Sequence, residues 1–526
     1  MRDTSLPNVS IITVNFNGRF FLKTLFDSIA NLNYPQEKLQ VIMVDNGSKD
    51  GSAAFVRNNY PFVEILSSDK NLGFAGGNNA GAKLAKGDYI AFINNDCAVE
   101  REWLLSLVNV LNEKEKENVK IGGVGSKVLF YFKYLPLKIS FKNSPVPDTD
   151  VNEKDEYLGV IKGLNIRENK ITREDPDTYE GSPGRQNLFK FANKSFKYLS
   201  GFYDAQKDAD RNITRKIKNE ALAGVPVVDK NDDINLEIMV SFIKPSAILK
   251  ISLEDEEIIS FAGNDIKFNS VNSTGENISS NIEAIEKGAG DIDSKISDKN
   301  NDNKSANDLT FKTINIRIPK EKFNYCQDIV NSCGSMINKS FYAREIGYES
   351  FDKNTSDKPA EVFALPGSSF IIKKELIDEE GLFDEKFFTY YEDIDFFWRA
   401  RLKGWRFFTE PKSVARHFHC GSGEEWSYSF TYHVLRNRLL MIYKCSWFLG
   451  FLKNYLSFCA SAFINLVYLA AAKIRGRNSD RTDIPIRLKI FFEFFVLMVS
   501  CLGKRIKIRT GARISDKEIK TWQENF

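Results

Sequence analysis

Gly87-Asp88-Tyr89-Ile90-Ala91-Phe92-Ile93-Asn94-Asn95-Asp96-Cys97 decides the architecture. Tyr89 to Ile93 is a short apolar run of β-branched and aromatic residues, the pattern of a strand buried on both faces. It runs directly into Asn94, Asn95 and Asp96. Ligands of open α/β sheets bind just outside the carboxyl ends of the strands. A short carboxylate there, with amides beside it, suits a divalent metal and the phosphates that metal bridges. The competing reading is a polar turn in which Asp96 caps a helix running from Glu100 to Leu111.

Upstream, Val9 to Val14 reads as another buried strand, broken by Asn15-Phe16-Asn17-Gly18, with a helix following that places Phe21, Leu25, Ser28 and Ile29 on one face. Leu39 to Val44 is a second strand, ending in Asp45-Asn46-Gly47-Ser48, and Val63 to Leu66 is a third, followed by Asn71-Leu72-Gly73-Phe74-Ala75-Gly76-Gly77-Asn78-Asn79. The alternation predicts a parallel sheet wrapped by helices, with its polar loops on one edge. Asp45, an acceptor only when ionised, suits the N3–H of a uracil or thymine ring; its alternative role is an Asx turn. Gly73, Gly76 and Gly77 allow close backbone approach and open the helix carrying Asn78 and Asn79. They follow the third strand, whereas a dinucleotide fingerprint follows the first.

Gly122 to Phe130 reads as a further strand, after which the pattern stops over residues 133–322. Runs at 137–141, 236–240, 247–251 and 314–318 alternate with turn residues and predict an inserted β-sandwich with a mobile loop at 291–308, serving as a spacer, an acceptor-site wall or a glycan binder. The pattern resumes near Cys326. Within Gly381 to Ala400, Glu392 and Asp393 lie between aromatic residues at a helix start, and apolar crowding of like charges raises carboxylate pKa values towards a general base's range. Asp395 with Arg399 is an ordinary i,i+4 pair. Val414 to His419 reads as a strand end with His417 and His419 on one face.

Trp447 to Ala472 and Ile490 to Leu502 are apolar, with Lys473, Arg475, Arg477, Arg481, Arg487, Lys489, Lys504, Arg505, Lys507 and Arg509 between and after them. Apolar helices with basic flanks predict contact with an anionic membrane surface, the first segment being a candidate span; the alternative is a pair of core helices. The formal charge of +3 over 526 residues gives no support to a nucleic-acid partner. Seven dispersed cysteines and the lack of a charged, then apolar, start over Met1 to Pro7 predict a cytosolic active part.

The words Val-Ser-Ile-Ile-Thr-Val-Asn-Phe-Asn-Gly from Val9, Val-Asp-Asn-Gly-Ser-Lys-Asp-Gly from Val44 and Asn-Leu-Gly-Phe-Ala-Gly-Gly-Asn-Asn from Asn71 resemble inverting family 2 glycosyltransferases of the GT-A fold, in particular a rhamnosyltransferase-like branch. Asn94-Asn95-Asp96 falls where that family carries an Asp-x-Asp-type motif, with Asn94 in place of the first Asp. The resemblance implies an α/β GT-A sheet in two halves, 1–132 and 323–432, and the residue pattern outside it adds a β-rich insert at 133–322 and a helical, membrane-associated region at 433–526. It implies a nucleotide-sugar site from Thr13, Asn15, Asn17, Asp45, Asn71, Gly76, Asn78, Asn94, Asn95 and Asp96. It further implies Mg²⁺ or Mn²⁺ on Asp96 with His417 or His419, and Asp393 beside Glu392 as catalytic base. The expected activity is transfer of rhamnose or another hexose from a UDP- or dTDP-sugar to a lipid-linked or polysaccharide glycan, at the cytoplasmic face of a membrane, peripheral or integral. A sugar nucleotidyltransferase, marked by pyrophosphate release, and a non-catalytic glycan-binding protein with a relic core are the alternatives.

Overall fold

The computed structural model describes residues 6–142, 159–167, 192, 195–202, 206–207, 213–242, 248–253, 256–262, 312–353, 358–419, 427–474 and 483–524. The expected loop at 291–308, together with Cys420, Arg475, Arg477 and Arg481, lies outside them.

Strands β1 (Val9–Asn15), β2 (Leu39–Asp45), β3 (Val63–Ser67) and β4 (Tyr89–Ile93) pair in parallel in the order β4-β1-β2-β3. Helices α1 (Arg19–Ala30), α2 (Ser52–Asn59) and α3 (Gly73–Ala82) lie between successive strands. Adjacent residues of β1, β2 and β4 enter opposite cores. Ile11, Val41, Met43 and Ala91 meet Leu25 and Phe26 of α1, while Ile12, Ile42, Val44 and Phe92 meet the aromatic layer around Phe370 and Phe383. Two buried faces explain why these strands read as continuous apolar runs.

Beyond β4 come β5 (Cys97–Val99), helix α4 (Trp103–Lys116) and β6 (Ile121–Phe130). The sheet is completed from the far half of the chain. Ser369–Lys373 inserts antiparallel between β4 and β6, and Arg406–His417 runs parallel to β6 and antiparallel to β5. The expected helix from Glu100 starts instead at Trp103, because β5 intervenes to pair with Arg406–His417. Asp96 is therefore in a turn between two strands and caps no helix.

A second, nine-stranded sheet runs from Lys133–Lys142 to Lys312–Ile318. The described strands of the expected β-sandwich are joined in one continuous order. The reason is the long strand Ile213–Val227, which pairs with Lys133–Lys142 along its second half and with Gly159–Arg167 near its start. Alternate residues such as Leu137, Ile139, Phe141, Leu236, Ile238, Ile314 and Ile316 fill its core.

Three helices, Tyr428–Cys445, Phe448–Ile474 and Asp483–Thr510, finish the chain with the short Asp516–Thr521. Ile486, Ile490, Phe494 and Cys501 of the third pack into the same core as Phe370, so one face of this region caps the first sheet. No helix among the described residues is long and apolar enough to cross a membrane. The last residues of the expected span over Trp447 to Ala472, 469–472, lie outside the described side chains.

Candidate active site

Parallel pairing puts the ends of β1, β2 and β3 level, with Asn15 opposite Asp45 and Asp45 opposite Ser67. The polar loops therefore share one edge, as expected. Within that edge most amides bind the loops themselves. Asn15 accepts from Asn95 Nδ2 at 2.8 Å and donates to Ser48 Oγ at 3.1 Å, tying the ends of β1, β2 and β4 together. Asn17, with φ +53°, accepts from the Lys49 backbone at 2.8 Å. Asn71 accepts from Gly73 N at 2.8 Å, and buried Asn78 donates to Phe74 O at 3.0 Å. Gly76 is required by packing, since a Cβ would come 2.9 Å from Leu72 Cβ. Of the expected donor residues, Thr13 and Asp45 differ: Thr13 Oγ1 and Asp45 Oδ1 are buried with no hydrogen-bond partner. A buried acceptor without a donor is costly, and a ligand N–H would satisfy it.

Asp96 faces the second half of the sheet. Strand register sets His417 opposite Cys97, and His417 Nε2 lies 3.1 Å from Asp96 Oδ1. Burial would raise the Asp96 carboxyl, but the charge and hydrogen bond of His417 prevail and hold it below the ordinary carboxylate range. On its other nitrogen, His417 Nδ1 is 3.1 Å from Asn331 Oδ1, while Asn331 Nδ2 is 3.3 Å from His419 Nδ1. His419 Nε2 in turn lies 3.4 Å from the Tyr348 hydroxyl. Because Asn331 Oδ1 is an acceptor, Nδ1 of His417 carries a proton. Its Nε2 is then a lone pair available to a cation, or a second N–H held by Asp96. Asn331 Nδ2 is a donor, so His419 Nδ1 accepts and its Nε2–H points to Tyr348. His419 lies past the strand end, with φ +53°, its ring 5.6 Å from that of His417.

Asp96, Cys97 and His417 present ligand atoms within 4.8 Å of one another. Burial and the neighbouring Asp96 charge push the Cys97 thiol well up, so it stays protonated and is a poor ligand. The remaining oxygen and imidazole nitrogen form a hard, incomplete donor set, which fits Mg²⁺ or Mn²⁺ completed by phosphate oxygens and water.

The Glu392–Leu402 helix brings the second pair of carboxylates. Burial lifts Glu392 well above its ordinary value, reinforced by the Asp393 and Asp395 charges, and Glu392 Oε2 has no hydrogen-bond partner. Burial also raises Asp393 to about 6, against the bond its Oδ1 accepts from Ile394 N at 2.7 Å. Gly367 makes room for this group, because a Cβ there would lie 2.6 Å from Asp393 Oδ2. The neighbouring Ser368 O accepts from Asn94 N at 3.0 Å, so one turn joins the Asp393 side to the Asn94–Asp96 loop. Asp395 is structural as expected, bound to Arg399 at 2.9 Å and also to Lys444 at 2.8 Å.

Residues that carried no role in the sequence join this site. Glu345 accepts from the Ser332 and Ser335 hydroxyls, the latter at 2.9 Å. Burial lifts its carboxyl to about 7; the Ser332 bond opposes this and the Asp393 charge adds to it. Asn437, fully buried, donates from Nδ2 to Phe387 O, Thr389 O and Tyr390 O at 2.8, 2.8 and 2.9 Å. It holds the segment in which Phe388, Tyr390 and Tyr391 all have positive φ, immediately before Glu392. Polar residues in an apolar helix carried a weak signal for Asn437; nothing local marks Glu345.

Residues 10–166 match the family model described as Glycosyl transferase family 2. The chain is 32% identical over 104 residues to the glycosyltransferase AglE of Haloferax volcanii, covering 19% of this chain and 34% of that protein. It is 29% identical over 175 residues to the poly(ribitol-phosphate) beta-glucosyltransferase of Bacillus spizizenii, covering 31% and 26%. The chain thus aligns with about a third or less of the length of these relatives. Among solved structures, GalNAc-T7 with UDP, GalNAc and Mn²⁺ is similar at 11% identity and a TM-score of 0.39, over 84% of this chain and 48% of that one. Over residues 10–166 the chain is thus similar to Glycosyl transferase family 2, on a mixed α/β sheet joined to a C-terminal helical region.

Proposed function

We propose that this chain is a metal-dependent, inverting glycosyltransferase that moves a hexosyl group, rhamnosyl among the candidates, from a UDP- or dTDP-sugar to a hydroxyl of a lipid-linked or polysaccharide glycan. The observation that carries the reading is the pairing of two opposite carboxylate environments across one turn. Asp96 is kept ionised by His417, while Asp393 is raised towards neutrality beside Gly367.

Asp45 Oδ1 and Thr13 Oγ1 accept or share hydrogen bonds with the pyrimidine base, which supplies the partners they lack. Asp96 Oδ1 and His417 Nε2 would hold Mg²⁺ or Mn²⁺ against the diphosphate, where a bound cation offsets charge on the leaving group. By accepting from His417 Nδ1, Asn331 leaves Nε2 as the nitrogen that bonds Asp96 or, once deprotonated, a cation beside it. Asp393, ionised at neutral pH yet basic enough to accept a proton, removes it from the acceptor hydroxyl as that oxygen attacks the anomeric carbon from the face opposite the diphosphate. Glu392, raised further, remains protonated beside it and limits the like-charge repulsion.

A panel of UDP- and dTDP-sugars assayed for transfer and slow hydrolysis tests the reading. Free nucleoside diphosphate is the expected product, and pyrophosphate would overturn it in favour of nucleotidyl transfer. Asp393→Asn then separates chemistry from binding: turnover should fall about 10²–10⁴-fold, the worth of a positioned general base, with donor affinity near wild type. Normal turnover of this variant at saturating acceptor would remove Asp393 from its role.

A further inference from the structure

The second and third C-terminal helices bury one face and leave the other bare. On Asp483–Thr510, Phe492, Phe495, Val496, Val499, Leu502 and Ile506 form an outward stripe at helical spacing. On Phe448–Ile474 the outward residues include Leu449, Leu456, Phe463 and Val467. Phe492, Val496, Val499 and Leu449 are 70–78% exposed, far beyond isolated surface leucines. The two helices pack on one another, so the stripes belong to one region of surface, and no described residue covers it.

The charges on these helices are one-sided. Asp483–Thr510 contains Arg487, Lys489, Lys504, Arg505, Lys507 and Arg509 against Asp483 and Glu493, and Phe448–Ile474 contains Lys453 and Lys473 with no acid. Lys489 stands one turn before Phe492, and Lys504 and Lys507 flank Ile506; all three are exposed, as is Lys453. A second copy of the chain meeting this surface would set cation against cation. An anionic lipid surface would not, and among the described residues no helix is long and apolar enough to cross it.

We infer that this two-helix face lies in the plane of an anionic bilayer surface, its apolar stripes in the acyl boundary and its lysines at the headgroups. The seat is mechanically close to the chemistry. Lys386 Nζ donates to Ser500 Oγ at 2.7 Å and Lys504 Nζ to Asp384 at 2.8 Å, so the helix that carries the stripe also holds the segment leading to Glu392 and Asp393. An acceptor embedded in the same bilayer would reach the base without leaving the surface.

The test is flotation of the full chain with vesicles of phosphatidylcholine alone and of equal parts phosphatidylcholine and phosphatidylglycerol. Flotation is expected with the mixed vesicles, weakening as salt rises. Phe492→Asp with Val496→Asp should lower bilayer partition at least about tenfold, with nucleotide binding unchanged as the check on folding. Absence of wild-type flotation at low salt, or equal flotation of the variant, would overturn the inference. So would a lipid-free dimer in light scattering that the same substitutions dissolve. If the variant loses its fold, Lys453→Glu with Lys507→Glu replaces it, and binding to the mixed vesicles that is indifferent to this reversal would be equally fatal.

Discussion

The two sides of the candidate site treat their carboxylates in opposite ways. On the donor side Asp96 is buried but faces His417 at 3.1 Å, and the imidazole overcomes desolvation, so the group stays charged. On the proposed acceptor side Glu392 is buried and Asp393 half-buried beside aromatic residues, no described cation is paired with either, and desolvation prevails. Environments that drive similar groups apart in pKa are how one site runs distinct acid–base roles at one pH. The charged member is suited to hold a cation, and the raised one to exchange a proton.

The contrast is broken most severely at Asp96. Asp96→Ala should abolish transfer and the metal dependence of nucleotide binding, because a hard cation loses its charged ligand; calorimetry of UDP with and without Mn²⁺ checks it, and full activity in excess chelator would contradict it. Gly367→Ala tests the other side without touching a carboxylate. The added Cβ meets Asp393 Oδ2 at 2.6 Å, so the base must move, and about a 10²-fold fall in kcat is expected with donor Kd preserved. Asn331→Ala removes the partner of His417 Nδ1 and should weaken metal affinity about 10–100-fold, the range for outer partners of a ligating histidine. A metal titration of nucleotide binding reads that out. The gentlest probe is pH. A base must be deprotonated, so with Asp393 raised to about 6 the rate should be full above that value and decline as pH falls through it. In Asp393→Asn the residual rate should lose this acid limb.

The legibility of these two sides differed. Strands β1 to β4 and their loops were visible in the sequence because a strand buried on both faces is a continuous apolar run, and because parallel pairing forces its polar exits onto one edge. Glu392 and Asp393 stood out for the same local reason, charge set among aromatics. What local pattern does not carry is the partner of a polar side chain. Asn17, Asn71 and Asn78 look like ligand groups but bond to neighbouring backbone. Asn331 and Glu345 look unremarkable but reach the site through Val330–Ser332 and the small sheet of Ser335–Asn338 and Ala343–Glu345. His417 was legible as a residue type, yet its approach to Asp96, which His419 does not share, depends on the strand register that sets it opposite Cys97. The β-rich character of the region after β6 was equally plain, whereas its single ladder depends on which strand the fifteen residues Ile213–Val227 meet.

The insertion of Ser369–Lys373 between β4 and β6 also has a consequence for how the protein is made. When β4 and β6 leave the ribosome, the strand that satisfies both is still far downstream, beyond the whole second sheet. At ~5–20 residues per second the wait is on the order of 10–60 seconds. Throughout it, two apolar strands have unpaired edges, the condition under which nascent chains pair wrongly with one another. The second sheet has no such debt, since all its described strands lie between Lys133 and Ile318 and can close as soon as they emerge. The region that interrupts the catalytic sheet in sequence is thus free to fold before it, and a fragment ending at β6 should aggregate where the full chain does not.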